Sequence, residues 1–401
     1  MSRSVLFAFF LLSSLASLAQ TGLIADFSFD TCDGSDNTGI QGDGIPFPAV
    51  DCVCGASGTG MEFGSGLDSL LFPVNVEDIF SADFTMSFYV KFINPASRVD
   101  LISARSEDCQ VDSSFIIRYS DISKSFNVEI GETFNNFIEL SVDIDEAFCW
   151  HHIVFAKKGM SYFLFYNGEL AEEIVAVKEF TIDPLNTLAI SNSACLGVIE
   201  NPLTGIIDEF KLFDRFVEVD ELGQLDVFPD QIINQDTTIF LGDAVQINTG
   251  ESCSTAPSWS PTTDVSDPNI LDPILSPTET MVYTLTLPTS SCTTSDTIRI
   301  NVVDPEALDC SDLLLANAFT PNGDFLNDDY GISNTFIIEE LDQFDILDRW
   351  GEVVFTTTDK NGRWDGSFKG NDSNPAMFLY VVKYSCKGES YTKSGSVSVI
   401  R

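Results

Sequence analysis

The sequence predicts an all-β protein, on three observations. Apolar residues recur at every second position in stretches such as Phe84 to Phe92, Met281 to Leu287 and Thr297 to Val302, which is the period of a half-buried strand. Long helical periodicity is missing. Asp, Ser, Thr, Gly and Asn are abundant and Phe is frequent, at 33 residues, so the chain reads as many short strands separated by turns.

Residues 1–19 read as a secretory signal: Arg3 supplies the positive start, Val5 to Leu12 the apolar core, and Ser17-Leu18-Ala19 the small-x-small cleavage site. The mature chain is expected to begin at Gln20. No other run approaches the roughly twenty apolar residues of a membrane span, so a soluble exported protein is expected, long enough for two to four domains. Lys and Arg number 20 against 61 Asp and Glu, a formal charge of −41. Such a surface argues against nucleic acid, which needs a basic footprint, and against unaided docking on anionic lipid. It suits an extracellular protein that stays soluble and can recruit divalent cations.

All ten cysteines follow the signal, so disulfides are the default. Cys52-Val53-Cys54 has neither zinc nor thioredoxin spacing, and only two histidines exist to complete a metal site. Cys253 is expected to pair with Cys292, and Cys310 with Cys386, because each pair falls inside one expected domain. Cys32, Cys52, Cys54, Cys109, Cys149 and Cys195 allow about fifteen connectivities, and the sequence does not choose among them.

The first expected domain, 20–227, carries strand-like runs at Leu23 to Phe29, Phe84 to Phe92, Phe115 to Tyr119, Phe137 to Val142, Trp150 to Lys157, Tyr162 to Tyr166 and Gly205 to Phe213. Turn-separated strands at this density mean a sandwich. Phe84 to Lys91, Trp150-His151-His152-Ile153-Val154-Phe155, Phe165-Tyr166-Asn167-Gly168 and Gly205-Ile206-Ile207-Asp208-Glu209-Phe210-Lys211-Leu212-Phe213-Asp214-Arg215 together resemble the laminin-G-like, concanavalin A-like jelly roll. That fold carries lectins, adhesion modules and glycoside hydrolases, so the fold does not name the function.

A retaining hydrolase needs two carboxyls about 5 Å apart, which jelly-roll enzymes commonly supply from one strand as Glu-x-Asp-x-x-Glu. No such run exists here; Glu218-Val219-Asp220-Glu221 lacks the third acid at its spacing and reads as a short acidic helix. Asp143, Asp145 and Glu146 read as a solvated edge. His151 and His152 have no nucleophile motif such as G-x-S-x-G beside them, and the resemblance implies a packing role for the Trp150-x-His152 face. The expectation is therefore no catalysis. The resemblance also implies places for a structural calcium ion at Asp33-Gly34-Ser35-Asp36-Asn37 and at Asp208; the alternatives are turn chemistry and a plain surface carboxylate. Tyr89, Phe134, Tyr162 and Tyr166 cannot be divided between core and surface on sequence.

The second expected domain, 228–305, has its alternating runs at Met281 to Leu287 and at Thr297 to Val302, with Ile298, Ile300 and Val302 inward, while Ser258 to Pro273 reads as loop. The Gly242-Asp243 turn, Trp259, Ser276-Pro277-Thr278 leading into Tyr283-Thr284-Leu285, and the Cys253/Cys292 pair resemble the immunoglobulin-like modules of the polycystic-kidney-disease type, which implies a spacer.

The last domain, 306–401, has strand-like runs at Phe344 to Ile346 and Glu352 to Phe355 around a Trp350-Gly351 turn, and an alternating strand from Ser394 to Ile400. Thr320-Pro321-Asn322-Gly323 is a turn by mechanism. Pro321-Asn322-Gly323-Asp324, Asp348-Arg349-Trp350-Gly351 and Trp364-Asp365-Gly366, closing on Gly395 to Arg401, resemble the gliding-motility-associated C-terminal domain, the type B sorting signal of the type IX secretion system of the Bacteroidota. The resemblance implies a small β-sandwich engaged by the outer-membrane secretion machinery of a Gram-negative bacterium. Phe325 stands where the family has glycine after the aspartate. Asn322, Asp324, Asn327 and Asp328 still present the hard oxygens that calcium takes; the alternative, which the missing glycine favours, is a solvated turn capped by Asx side chains.

The combined expectation is a secreted or cell-surface binding and adhesion protein, with the jelly roll binding a glycan or an extracellular protein. The competing expectations are a polysaccharide-degrading enzyme and a structural surface or matrix component.

Overall fold

The computed structural model describes residues 21–47, 51–64, 68–105, 113–133, 135–145, 149–193, 195–198, 200–289, 292–304, 307, 309–321, 327–369, 371–372 and 375–400. The alternating stretches are strands, and the fold is all-β. In chain order the jelly roll contains β1 (Leu23–Phe27), β2 (Ile45–Phe47), β3 (Asp51–Cys54), β4 (Thr59–Phe63), β5 (Ser69–Leu71), the short helix α1 (Val76–Ser81), β6 (Phe84–Phe92), β7 (Arg98–Ala104), β8 (Ser114–Ser120) and β9 (Ser125–Thr133). It continues with β10 (Asn136–Asp143), β11 (His151–Lys158), β12 (Ser161–Tyr166), β13 (Glu169–Val175), β14 (Ala189–Ile190), β15 (Gly205–Phe213) and the one-turn helix α2 (Val219–Leu222).

One sheet runs β13-β12-β11-β6-β15-β4-β3, with β1 on β15; the other runs β10-β9-β8-β7-β14-β5-β2. Period 2 along β6 sends Phe84, Met86, Phe88 and Val90 between the sheets, where Phe115 and Phe155 meet them. Each fully buried phenylalanine stabilises by about 2 to 3 kcal/mol, and the core holds many of them beside Val, Leu and Ile.

The other face of β6 departs from the pattern. Thr85, Ser87, Tyr89 and Lys91 stand on the face opposite the core, yet all four are buried. The chain leaving β15 turns back over them. Phe213, Phe216, Val217, Leu222 and Leu225 pack on Val154, Ala156 and Phe165, and α2 is started by a capping box at Glu218.

The cysteines correct one expectation. Cys253 does not pair with Cys292: Cys54 bonds Cys253, and Cys149 bonds Cys292. Both partners lie on the jelly roll, one at the end of β3 and one just before β11. Pairing follows which chain ends the fold brings together, not which cysteines share a stretch of sequence. Cys32 bonds Cys52, Cys310 bonds Cys386, and Cys195 is disulfide-bonded.

Next come β16 (Thr237–Phe240), β17 (Val245–Gln246), β18 (Ser258–Ser260), β19 (Ile274–Leu275), β20 (Met281–Pro288) and β21 (Thr293–Val303). β18 and β21 flank β20 antiparallel. The strand β18 corrects the reading of Ser258 to Pro273 as loop throughout. Its polar composition is outweighed by Trp259, which is buried and donates its indole N–H to Ile270 O at 2.9 Å. Ile298 and Ile300 are buried, and Val302 is half-buried.

The C-terminal strands are β22 (Ala318–Phe319), β23 (Glu340–Leu347), β24 (Val353–Thr357), β25 (Ser367–Phe368), β26 (Asn371–Asp372), β27 (Ala376–Cys386) and β28 (Glu389–Val399). Five of them form a sheet ordered β22-β28-β27-β23-β24. The closing stretch is thus a full-length partner of β27, with β22 parallel on its other side. The chain divides into two compact units: residues up to 237 with 244–277 and 281–300, and residues 238–243 with 278–280 and 301 onward.

Candidate functional site

The outer face of the β10-β9-β8-β7 sheet carries a network of ion pairs. Alternation puts Arg118 on β8, Glu129 on β9, and Phe137 with Glu139 on β10 on this face, opposite the core residues Ile117, Val128 and Leu140. The Arg118 guanidinium lies 2.5 Å from Glu129 Oε2 and 3.3 Å from Glu139 Oε1. Glu200, its side chain fully buried, accepts from Arg105 at 2.9 Å and lies 3.8 Å from Arg98. Asp100 is buried alongside, accepting from Ser193 N at 2.9 Å. Burial, with Glu200 close by, pushes the Asp100 carboxyl up to about 7. Asp100 Oδ1 and Glu200 Oε2 have no hydrogen-bond partner.

This array meets solvent at its two ends, on β10 and on β7. Glu139 and Arg98 have side chains 43% and 42% exposed. Phe137, 40% exposed, stands two residues from Glu139 on the same face. Gly131 makes room for it, since a Cβ there would lie 2.3 Å from Phe137 Cβ. None of these residues was singled out on sequence. The available signal was Arg118, a charge inside the apolar run Phe115-Ile116-Ile117 and Tyr119. Of the aromatics left unsorted, Tyr89 and Tyr162 are buried and Tyr166 is half-buried; Phe134 lies outside the described residues.

The stripe on the opposite sheet is buried. His152 Nε2 is 2.8 Å from Ser87 Oγ, and its ring stacks on Tyr89 at 4.4 Å. His151 Nδ1 is 2.9 Å from Tyr166 Oη. Asp208 is not a surface carboxylate: it is fully buried and accepts N–H from Ala56, Ser57 and Glu209 at 2.8, 3.1 and 2.9 Å. Gly55 permits this approach, because a Cβ on it would come within 2.3 Å of Asp208 Oδ2. The neighbouring Glu209 sits at φ 52°, in a bulge of β15.

These groups make stability depend on pH. Burial lowers both histidines to about 4, so their contribution is complete above the unfolded value near 6.5 and is lost as pH falls through that window. Burial raises Asp208 to about 8, outweighing its three N–H donors, and Asp100 to about 7. Their contribution is complete below about pH 4 and is lost as pH rises through the folded values. The two sets oppose each other between about pH 4 and 6.5, and above that only the acids act. Thermal unfolding of the chain is expected to shift downward by about 2 kcal/mol between roughly pH 6.5 and 9. A transition that holds or rises over that interval contradicts these assignments.

The early acidic loop is spent on its own turn. Asp36 accepts N–H from Asp26, Thr38 and Gln41, and Asp33 accepts from Ser35 N and Thr31 Oγ1. Asn322 and Asp324, two of the four calcium candidates, lie outside the described residues, as does Gly323. Asn327 has φ 56°, and its carbonyl accepts from Thr320 N at 2.9 Å, closing the loop base. Among the described residues no three His, Cys, Asp or Glu side chains are grouped to hold a metal ion, and no helix is long and apolar enough to cross a membrane.

Two of the C-terminal motifs meet. Tyr330 and Trp364 exchange backbone hydrogen bonds at 2.8 Å. Gly366, at φ 76°, lies against Pro321 so closely that a Cβ would be 2.9 Å from its ring. Trp364 is buried, donating to Ser367 O at 2.7 Å, and Asp365 accepts from Ser367 N at 2.9 Å. At the β23–β24 turn Asp348 accepts N–H from Trp350 and Glu352, both at 2.8 Å, and Gly351 takes φ 84°. Arg349 belongs to the same turn, which holds Trp350 85% exposed.

Residues 313–399 match the CHU_C type IX secretion signal domain, and residues 65–223 match Laminin_G_3 of the concanavalin A-like lectin/glucanases superfamily. No curated protein matches the chain. Among solved structures it is similar to domain 4 of AbnA, a GH43 extracellular arabinanase from Geobacillus stearothermophilus in complex with arabinotriose, at 16% identity over 51% of this chain and 97% of that one, TM-score 0.41. It is also similar to the CBM40 of the Ruminococcus gnavus IT-sialidase, at 16% identity over 41% and 94%, TM-score 0.36. The binding domain of botulinum neurotoxin DC in complex with SialylT aligns at 9% identity over 95% and 94%, TM-score 0.44. The chain carries a concanavalin A-like domain of the laminin-G type and, at its C-terminal end, a type IX secretion signal domain.

Proposed function

We propose that this is a binding protein of the surface or surroundings of a Gram-negative bacterium, exported by the type IX machinery, whose jelly roll holds a glycan or an extracellular protein. The observation that carries the reading is the outer face of the β10-β9-β8-β7 sheet. There a fixed guanidinium-carboxylate array, Arg118 with Glu129 and Glu139, borders the exposed ring of Phe137. Locked polar groups read hydroxyls or carboxylates without a large ordering cost, and an exposed ring offers a stacking platform. The domain boundaries 20–227, 228–305 and 306–401, with an immunoglobulin-like spacer in the middle, belong to the same proposal, as does sorting through the Asp348-Arg349-Trp350-Gly351 and Trp364-Asp365-Gly366 loops.

The test is a glycan array probed with the chain from residue 20, with and without calcium, beside its Phe137→Ala and Glu139→Gln variants. Both substitutions sit at the exposed border, so the fold persists. Binding is expected to fall at least about tenfold, or about 1.4 kcal/mol, in each variant. A bound glycan whose affinity ignores both changes removes this face from the reading. A blank array shifts the ligand to an extracellular protein, and release of reducing ends from a polysaccharide makes the chain an enzyme.

A further inference from the structure

The chain is short of positive charge, with 20 Lys and Arg against 61 Asp and Glu, yet three of the four arginines between residues 20 and 227 gather on one face. Arg98 and Arg105, at the two ends of β7, and Arg118 on β8 converge on the buried carboxylate of Glu200. Its Oε1 lies 2.9 Å from Arg105, 3.8 Å from Arg98 and 3.9 Å from Arg118.

These guanidiniums are not equally satisfied. Arg105 is within hydrogen-bond distance of Glu200, Arg118 of Glu129 and Glu139, and the fourth arginine, Arg215, grips Glu221 at 2.7 and 3.1 Å. Arg98 stands apart: among the described residues its nearest carboxylate is Glu200, at a separation beyond a hydrogen bond. Its backbone is nonetheless fixed, since Arg98 O accepts from both N and Nδ2 of Asn201 at 2.9 Å. The Arg98 side chain is 42% exposed, against 3% for Arg105 and 11% for Arg118. Its Nε is enclosed, so the exposure belongs to the outer part of the guanidinium, whose donors point to solvent unspent.

Charge is distributed unevenly along the face. At the β10 end two carboxylates, Glu129 and Glu139, surround one guanidinium. At the β7 end the ratio reverses among the described residues: Arg98 and Arg105 share Glu200, and Asp100 beside them is held toward its neutral form by burial and by Glu200.

We infer, on the reading of this face as the binding site, that its ligand is an acidic glycan and that Arg98 takes the carboxylate or sulfate group. A guanidinium presents paired N–H groups that match two oxygens of such a group. A hydroxyl would leave the charge unmatched. Two strands separate β10 from β7, roughly 14 Å at the ordinary strand spacing, so a ligand that touches both Phe137 and Arg98 is an oligosaccharide rather than a single ring. Glu139 beside Phe137 repels the acid and so sets the direction in which the sugar chain lies.

The chain from residue 20 would be titrated calorimetrically with oligogalacturonate and oligoalginate, which carry carboxylates, with a carrageenan oligosaccharide, which carries sulfates, and with carboxyl-reduced oligogalacturonate, which carries neither. At least one acidic oligosaccharide is expected to bind about tenfold or more tightly than the neutral one, and the two kinds of acidic probe tell carboxylate from sulfate. Arg98→Gln is expected to lower that affinity about tenfold, and Arg98→Lys, which keeps the charge and loses the fork, to recover part of it. Both substitutions leave Glu200 its 2.9 Å contact with Arg105, so the fold persists. Phe137→Ala weakens acidic and neutral ligands alike. Glycan binding with no preference for the acidic forms, or an acidic ligand whose affinity ignores Arg98→Gln, overturns the inference and leaves the face as a glycan site. No binding of any of the four probes removes both.

Discussion

Removal of residues 309–401 is expected to stop the protein from reaching the cell surface or the medium, while the remainder stays folded and accumulates in the periplasm. The truncation takes away the whole secretion signal domain matched at 313–399. That domain has a core of its own, in which Trp364 meets Phe378 edge to face and Phe319 at a tilt, and its own Cys310–Cys386 bridge. The jelly roll depends on neither. A single substitution should reproduce the effect. Trp364→Ala deletes an indole that is 2% exposed and lies 4.9 Å from the Phe378 ring, at a cost of about 3 to 5 kcal/mol. A small domain does not absorb that loss. Trp350 offers the complementary test: it is exposed on a turn fixed by Asp348 and Gly351, so Trp350→Ala should leave the domain folded and lower export if the machinery reads that turn. Cell fractionation followed by immunoblotting decides these outcomes. Export of the truncated chain at normal yield would refute the sorting role.

How far the sequence reaches differs between its local and long-range features. The strand β6 was legible because Phe84, Met86, Phe88 and Val90 alternate with polar residues, and alternation reports which face is apolar. It does not report whether the polar face is covered. Thr85 exchanges hydrogen bonds with the chain after β15, accepting from Val217 N and donating to Arg215 O, and nothing within β6 announces that neighbour. Asp208 was legible as a carboxylate of interest, but its burial depends on Gly55 and on backbone N–H groups more than a hundred and fifty positions earlier in the chain. The Arg118 array had a weak local signal and Phe137 had none. The burial of Asp230 and Thr294 had no local signal either, since it arises only once the turn after α2 lies beside β21.

The same long-range character underlies the other large expected effect. Replacing Cys54, Cys253, Cys149 and Cys292 together by alanine is expected to lower the stability of the unit holding the jelly roll by several kcal/mol and to free residues 245–300 from it. The two bridges span sequence separations of 199 and 143, for which the chain-entropy relation gives about 5 kcal/mol each; measured bridges usually deliver about 2 to 4. Among the described residues, noncovalent contacts also cross this junction. Lys91 Nζ reaches Thr289 Oγ1 only at 3.4 Å, and the Gly58 N–H donates to Glu251. The ordinary core of the jelly roll, by contrast, contains none of the four cysteines. Removing the bridges should therefore produce early protease cleavage between residues 228 and 300 before the jelly roll itself unfolds. The Cys310 and Cys386 pair, left intact, serves as the internal control. Limited proteolysis with mass spectrometry, beside thermal unfolding, reads both effects. An unchanged cleavage pattern together with an unchanged transition would mean that noncovalent packing alone holds the junction, and the two bridges would then have no stabilising role to assign.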